Sequence, residues 1–401
     1  QIRSSAASDV YKRQDFTRVL AGPYITMVLA DLGAEVIKIE NPNGGDDTRQ
    51  YRPPEQGDES FYFLSVNRHK KSVGVNITTE EGRALLKDLA AQSDILVQNF
   101  RPDVMDRYGL NYDAMKEINP RLIYASISGY GNDSPYRLVA GYDQIAQGEG
   151  GIMWMTGHPD TPPVRAAASI ADTFTGLHTG MAILAALQAR ERTGEGQFID
   201  LALLDSVIAV TSFQAQAALL TGENMGRPGN GSQLVVPTGM FECADGEINM
   251  LIGNDRQFQR LCEAVIGQAD LAADPRFATI AGRRDNQQAL LDILEPIFRT
   301  RPRDEWIASC RKHGVPAGSV RSPVEAVAAP EPNARGLIQE VDHPTAGTFK
   351  TVGSPIKMSA TPVRPAGPAP LLCQHTDEVL RGVLGLDDER IADLRDSGAV
   401  S

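Results

Sequence analysis

From residue 169 to 205 the chain reads SIADTFTGLHTGMAILAALQARERTGEGQFIDLALLD. Its apolar and small positions run long enough to predict a helix, closed by the polar turn Arg192-Thr193-Gly194-Glu195-Gly196 and followed by a strand alternating over 197–201. Gly176 and Gly180 leave one face of that helix almost bare, which predicts close approach of a ligand to the acid at its start, Asp172. The first third has a different rhythm. Residues 15–20 read as the tail of a strand, Ala21-Gly22-Pro23 opens a helix that Gly33 ends, and 34–40 (AEVIKIE) is a second strand. Strands at 72–77, 94–98 and 121–126 alternate with helices at 79–91 and 112–118, predicting αβ units on a mainly parallel sheet. A second long helix is expected over 203–220.

Beyond it the pattern changes again. Residues 221–234 have the composition of a flexible linker, and 235–322 predict a smaller α+β domain. That domain has a hairpin at 236–253, helices at 255–266, 283–299 and 302–312, and a strand at 315–320. Residues 323–401 form a return segment, with strands near 337–341 and 348–352, a proline-rich tract, and two amphipathic helices. The large domain therefore takes 15–220 together with this return segment. Residues 1–14 (QIRSSAASDVYKRQ) lack periodicity and an apolar core for a secretory signal, and are read as a non-native leader standing outside the fold.

Composition narrows the function. With a formal net charge of −12, the chain is a poor general binder of nucleic acid or of anionic membrane, so an anionic ligand needs a local basic patch. The uninterrupted apolar runs fall short of membrane-spanning length. Cys243, Cys262, Cys310 and Cys373 are scattered without ligand spacing, which predicts idle thiols in a reducing cytoplasm and no metal site.

Candidate chemistry gathers at predicted strand ends. Arg68-His69-Lys70-Lys71 precedes one strand, and Asn99-Phe100-Arg101-Pro102-Asp103 follows another, where open α/β sheets place ligands. The plain alternatives are a solvated basic face and pairing of Arg101 and Arg107 with Asp103 and Asp106. Tyr142 and Asp143 stand out in the glycine- and proline-rich stretch 129–163, where Tyr142 also reads as a core tyrosine and His158 as a turn residue. Asp172 is in the first place a helix cap. With an ordinary carboxylate pKa of ~4 it is also ionised at neutral pH, a nucleophile that needs no neighbouring base.

Taken in order, AGPYITMVLADLGAEVIKIENPNGGDDTR, NRHKKSV, ILVQNFRPDVMDRYGL, LIYASISGYG, IADTFTGLHTGMAILAALQARERTGEGQ and HTDEVL resemble the class III CoA-transferases, the CaiB/BaiF or formyl-CoA-transferase-like family. The resemblance implies a Rossmann-like large domain built from both chain ends, an inserted smaller α+β domain, and two monomers interlocked as a homodimer. It implies Asp172 as a nucleophile that carries acyl and then CoA groups between an acyl-CoA and a small carboxylic acid. Coenzyme A is then a substrate and no cofactor is permanently bound. Carried over by position, the CoA contacts are Arg18, Val19, Ala21, Lys70, Asn99, Phe100, Arg101, Val104 and Arg107, with Tyr142, Gly253 and Asn254 at the substrate.

Departures from the formyl-transferring branch are Leu20 in place of Gln, Asn41 in place of a basic residue, and a single glycine in Ile252-Gly253-Asn254-Asp255, so formyl-CoA and oxalate are not carried over as the substrate pair. Gln374 stands where acidic residues are usual. The rival reading is an α-methylacyl-CoA racemase of the same fold. Racemases resemble Gly-His-Asp where this chain has Gly141-Tyr142-Asp143, and a tyrosine is a poor base at neutrality. A nicotinamide dehydrogenase would need a GxGxxG after a strand, and a non-catalytic CoA-binding relative would not need Asp172.

Overall fold

The computed structural model describes residues 11–401. Its main sheet has six strands: β1 (Lys12–Phe16), β2 (Glu35–Glu40), β3 (Lys70–Gly74), β4 (Ile95–Gln98), β5 (Ile123–Ser128) and β6 (Phe198–Ala202). They lie in the order β3-β2-β1-β4-β5-β6 and every pair is parallel. That is the doubly wound order, and it reverses between β1 and β4.

The β1 strand corrects the sequence reading. Residues 12–14, assigned to a leader, lie at the centre of the sheet, with Arg13 and Gln14 buried. Their polar chemistry hid the strand: Nε and Nη1 of Arg13 and Oε1 of Gln14 are buried without a hydrogen-bond partner. Residues 1–10 of the leader lie outside the described part.

One face of the sheet packs against Glu80–Ala91, Pro102–Arg107 and Tyr112–Ile118, and against Thr376–Leu384 and Asp388–Asp396 from the far end of the chain. Leu85, Leu86, Leu89, Met105, Leu380 and Leu394 meet there, and Asn76 N–H donates to the carbonyl of Ala399 at 2.8 Å. Both chain ends thus build one Rossmann-like body. The long helix, Ile170–Thr193, packs against the helix Ala21–Asp31.

The chain divides into two compact units. The first takes the described residues up to Gly150, Ala167–Thr211 and Pro330–Ser401; the second takes Gly151–Ala166 and Ser212–Ala329. Within the second, Thr238–Glu242, Glu247–Leu251 and Ala317–Ser319 form an antiparallel sheet over a core that includes Phe258, Phe298 and Trp306. The sequence placed 151–166 and 212–220 with the large domain. The expected helix over 203–220 is in fact Leu203–Val210 and Phe213–Thr221, broken where Ser212 takes φ +50°. Arg227 holds the returning loop in the second unit, donating to the carbonyls of Trp154, His158, Pro159 and Thr161.

By length and composition the long helix could cross a bilayer, although Gln188 interrupts its apolar run. In the fold its buried side, with Thr175, Gly176, Thr179, Gly180 and Ile183, faces the body of the domain, while Phe174, Leu177, Met181 and Leu184 are exposed.

Candidate functional site

The reversal of strand order opens a crevice at the carboxyl ends of β1 and β4, where doubly wound sheets hold ligands. A cavity of about 220 Å³ is found here, lined by Arg18, Val19, Leu20 and Ala21 after β1, by Asn99, Phe100 and Arg101 after β4, and by Tyr142 and Asp172. A second cavity of about 350 Å³ shares Arg18, Asp47 and Phe100 with it and runs over the ends of β1 and β2.

Local chemistry fixes this edge. Asn99 Oδ1 accepts from Arg18 N–H at 2.9 Å and Nδ2 donates to the Arg18 carbonyl at 2.7 Å, so one side chain ties the two loops together. Its amide is thereby committed to the backbone. Val19 takes φ +67°, rare for a β-branched residue, and its N–H donates to Asp46 Oδ1 at 3.2 Å. Phe100 lies under the Arg18 guanidinium, 5.5 Å from ring centroid to charge, and Ala21 is buried at the first turn of its helix. Arg101 and Arg107 are exposed and share Asp103, with Val104 half-buried between them.

One expected site residue is placed elsewhere in its chemistry. Lys70 is buried, and Nζ donates to Asp15 Oδ2 (2.9 Å), the Pro23 carbonyl (2.9 Å) and Asn67 Oδ1 (2.8 Å). All three of its donors are used, so it cannot also reach a phosphate. Burial lowers its pKa to about 8 against the pull of Asp15, while Asp15, which burial alone would raise, is held down to about 2 by Lys70 and Lys38. A basic run in sequence carries no sign of which side chains turn inward.

The bare face of the long helix is likewise no ligand surface. A Cβ on Gly176 would lie 2.6 Å from the Ala21 carbonyl oxygen, and one on Gly180 would lie 2.3 Å from Ile25 Cδ1. The glycines admit another helix, not a substrate.

Asp172 is the third residue of the long helix rather than its cap. The capping oxygen comes from another element: Asp143 Oδ1 accepts from Ala171 N–H at 2.9 Å and from Asp172 N–H at 3.4 Å, while its Oδ2 accepts from Gln147 Nε2 at 2.7 Å. Asp143 begins the helix Asp143–Glu149, and Tyr142 before it is exposed at the cavity wall, not in the core.

Two acids at one helix end repel. Burial first, and Asp143 second, push the Asp172 carboxyl up to about 7. The expectation of an ordinary carboxylate pKa is corrected, because helix position says nothing of a neighbouring acid brought in from 29 residues away. Tyr62 and Tyr51, which sequence reading missed, complete the setting. The Tyr62 phenol is pushed up to about 12 by burial and then by Asp172, so it remains a proton donor beside the acid. Tyr51 meets it edge-on at 5.6 Å and lines the cavity. Arg137 lines the same cavity and was also missed. Nothing in the linear spacing of these residues points to Asp172.

Gly253 and Asn254 belong to the second unit. Asn254 caps the helix Asp255–Arg260 by accepting from Gln257 N–H, and Gly253 N–H donates to Gln257 Oε1 at 2.8 Å. Among the described residues no cluster of three His, Cys, Asp or Glu could hold a metal ion.

The profile of CoA-transferase family III matches residues 14–376. The chain belongs to that family. This CoA-transferase is 40% identical to the succinyl-CoA:glutarate CoA-transferase of Homo sapiens over 386 residues, 96% of this chain and 88% of that protein. It is 41% identical to the acetyl-CoA:oxalate CoA-transferase of Acetobacter aceti over 346 residues, 86% and 87% of the two chains. A solved CaiB/BaiF family protein from Brucella suis superposes with a TM-score of 0.83 at 39% identity, covering 93% of this chain and 98% of that one. The family III transferase thus moves CoA between an acyl-CoA and an acid, and its doubly wound body is a CaiB/BaiF fold.

Proposed function

We propose that this enzyme transfers CoA from a short acyl-CoA to a small carboxylic acid, with Asp172 as covalent carrier. The observation that carries the reading is Asp172 itself, a carboxyl lining the cavity at the switch point of the sheet. A carboxylate oxygen of Asp172 attacks the thioester carbon, the C–S bond breaks, and CoA leaves as thiolate. The thiolate then attacks the aspartyl carbon of the mixed anhydride, releasing the donor acid and leaving an aspartyl-CoA thioester. An acceptor carboxylate attacks that carbon and expels CoA thiolate again. The thiolate finally takes the acceptor's acyl carbon and frees Asp172. Every leaving group is a carboxylate or a thiolate, so no water enters, provided that the site excludes it.

CoA is proposed to lie along the two cavities, its phosphates meeting Arg18, Arg101 and Arg107. Names of relatives such as succinyl-CoA:glutarate and acetyl-CoA:oxalate transferase suggest a dicarboxylic acid on at least one side. Tyr142 and Tyr62 are proposed donors to the substrate carbonyl. Asp143 is committed to the helix end, which leaves it a poor second proton-transfer group for a racemase. A homodimer fits the exposed apolar row Phe174, Leu177, Met181 and Leu184 along one side of the long helix. A cytoplasmic setting suits four free thiols.

The test is rapid quenching with acyl-CoA followed by hydroxylamine and peptide mass analysis. Modification of the Asp172 peptide is expected. Unmodified Asp172 under conditions of turnover removes it as carrier.

A further inference from the structure

The arginines at this edge are not free. Arg18 pairs with Asp47 at 3.0 Å and Arg137 with Asp106 at 2.9 Å. Arg101 is held by Asp103 in a two-pronged contact, Nε to Oδ1 at 2.5 Å and Nη2 to Oδ2 at 2.8 Å, and Arg107 Nη2 reaches the same Oδ2 at 3.2 Å. The first two pairs join segments 29 and 31 residues apart and so fasten loops to the body. The Asp103 set is different: its partners are two and four residues away, around one short helix. Opening it loses no tertiary contact.

Both guanidinium groups are at least half exposed, and the carboxylate is a quarter exposed. Pairs of this kind are weak in water and yield to a stronger anion. A phosphate offers a guanidinium the same forked acceptor with more charge.

We propose that Asp103 is an affinity-setting residue for CoA: it holds Arg101 and Arg107 until the phosphates of the ligand take them over. The proposal rests on the reading that CoA lies at this edge. Binding then exchanges one acidic partner for another, so the carboxylate lowers affinity and flattens its salt dependence. It also keeps two neighbouring cations in a fixed, half-neutralised arrangement while the site is empty. For a transferase that must release its CoA product, a built-in competitor favours exit.

The experiment is titration calorimetry of CoA on the full-length protein at several salt concentrations, for wild type, Asp103→Asn, Arg101→Ala/Arg107→Ala, and the triple variant. Asp103→Asn keeps the shape of the side chain and is expected to bind CoA about two- to fivefold more tightly, the range in which an exposed pair contributes. It should also show a steeper loss of affinity with salt. Pantetheine, which lacks the phosphates, should bind the two proteins equally, and in the background without both arginines the substitution should have no effect.

A CoA affinity that is unchanged or weaker in Asp103→Asn, with the double arginine variant weakened, overturns the role of Asp103 and leaves the site intact. Tightening that persists without the arginines, or that extends equally to pantetheine, also overturns it. A double arginine variant that binds CoA as wild type does overturns the placement of CoA itself.

Discussion

Replacing Asp172 with Asn should stabilise the protein, and more so as the pH rises. Asp172 titrates at about 7 in the fold against 3.8 for an ordinary aspartate, because burial and Asp143 disfavour its charge. The folded state therefore holds a proton that the unfolded chain has already lost. The sign follows from linkage: stability from this group is complete below pH ~4, falls as the pH rises, and is lost once it passes ~7. A displacement from 3.8 to about 7 corresponds to about 4 kcal/mol at most. Asp172 borders an open cavity, so screening by solvent reduces this to about 1–3 kcal/mol. Asparagine is neutral throughout and escapes that cost while keeping the shape.

Urea unfolding of wild type and Asp172→Asn at pH 5 and pH 8, at equal protein concentration, measures the gap. At pH 5 it should be about a third of its full value and by pH 8 complete, with the variant the more stable. A second arm separates the two causes. In Asp143→Asn the amide oxygen still accepts from the Ala171 N–H, but the repulsion is gone, so the acid limb of kcat/KM should move to lower pH with kcat retained. Because burial is the larger cause, the limb should stay above the range of a free aspartate. A gap that does not change with pH, or one that favours wild type at pH 8, would refute the account of Asp172 as a carboxylate held against its charge.

Two further outcomes follow from the packing. Lys70→Met should destabilise the fold by about 3–5 kcal/mol, since it strands Asp15 in the interior, while CoA affinity of the folded fraction stays near wild type; thermal unfolding and calorimetry distinguish this from loss of a phosphate contact. Gly176→Ala should cost about 1–3 kcal/mol by forcing the long helix away from the Ala21 carbonyl, read as a lowered Tm, whereas a stabilised variant would mean that the helices do not touch as described.

The periodic part of the protein is legible along the chain. The apolar strand segments 34–40 and 94–98, the helix opened by Ala21-Gly22-Pro23, and the amphipathic helix at 79–91 appear as Glu35–Glu40, Ile95–Gln98, Ala21–Asp31 and Glu80–Ala91. These elements answer to local rules, the spacing of side chains along one backbone, and they were enough to put Arg18 and Asn99 at strand ends; that the two strands are neighbours comes from the sheet order. Where the local pattern was broken the reading failed, as at Arg13 and Gln14, polar residues inside the central strand.

What each polar side chain faces is a property of the folded body. Lys70 and Lys71 are adjacent in sequence, yet the first is sealed among Asp15, Pro23 and Asn67 while the second pairs at the surface with Glu35 and Glu378. Gly176 and Gly180 mark a close approach in either reading, and the fold alone shows that Ala21 and Ile25 make it. Burial first, and then Asp143, which reaches the helix end of Asp172 across 29 residues of chain, raise a carboxylate's pKa that no local pattern could set. Charge acts through space and burial through the whole envelope, so protonation and partnership belong to the folded body and not to the order of residues.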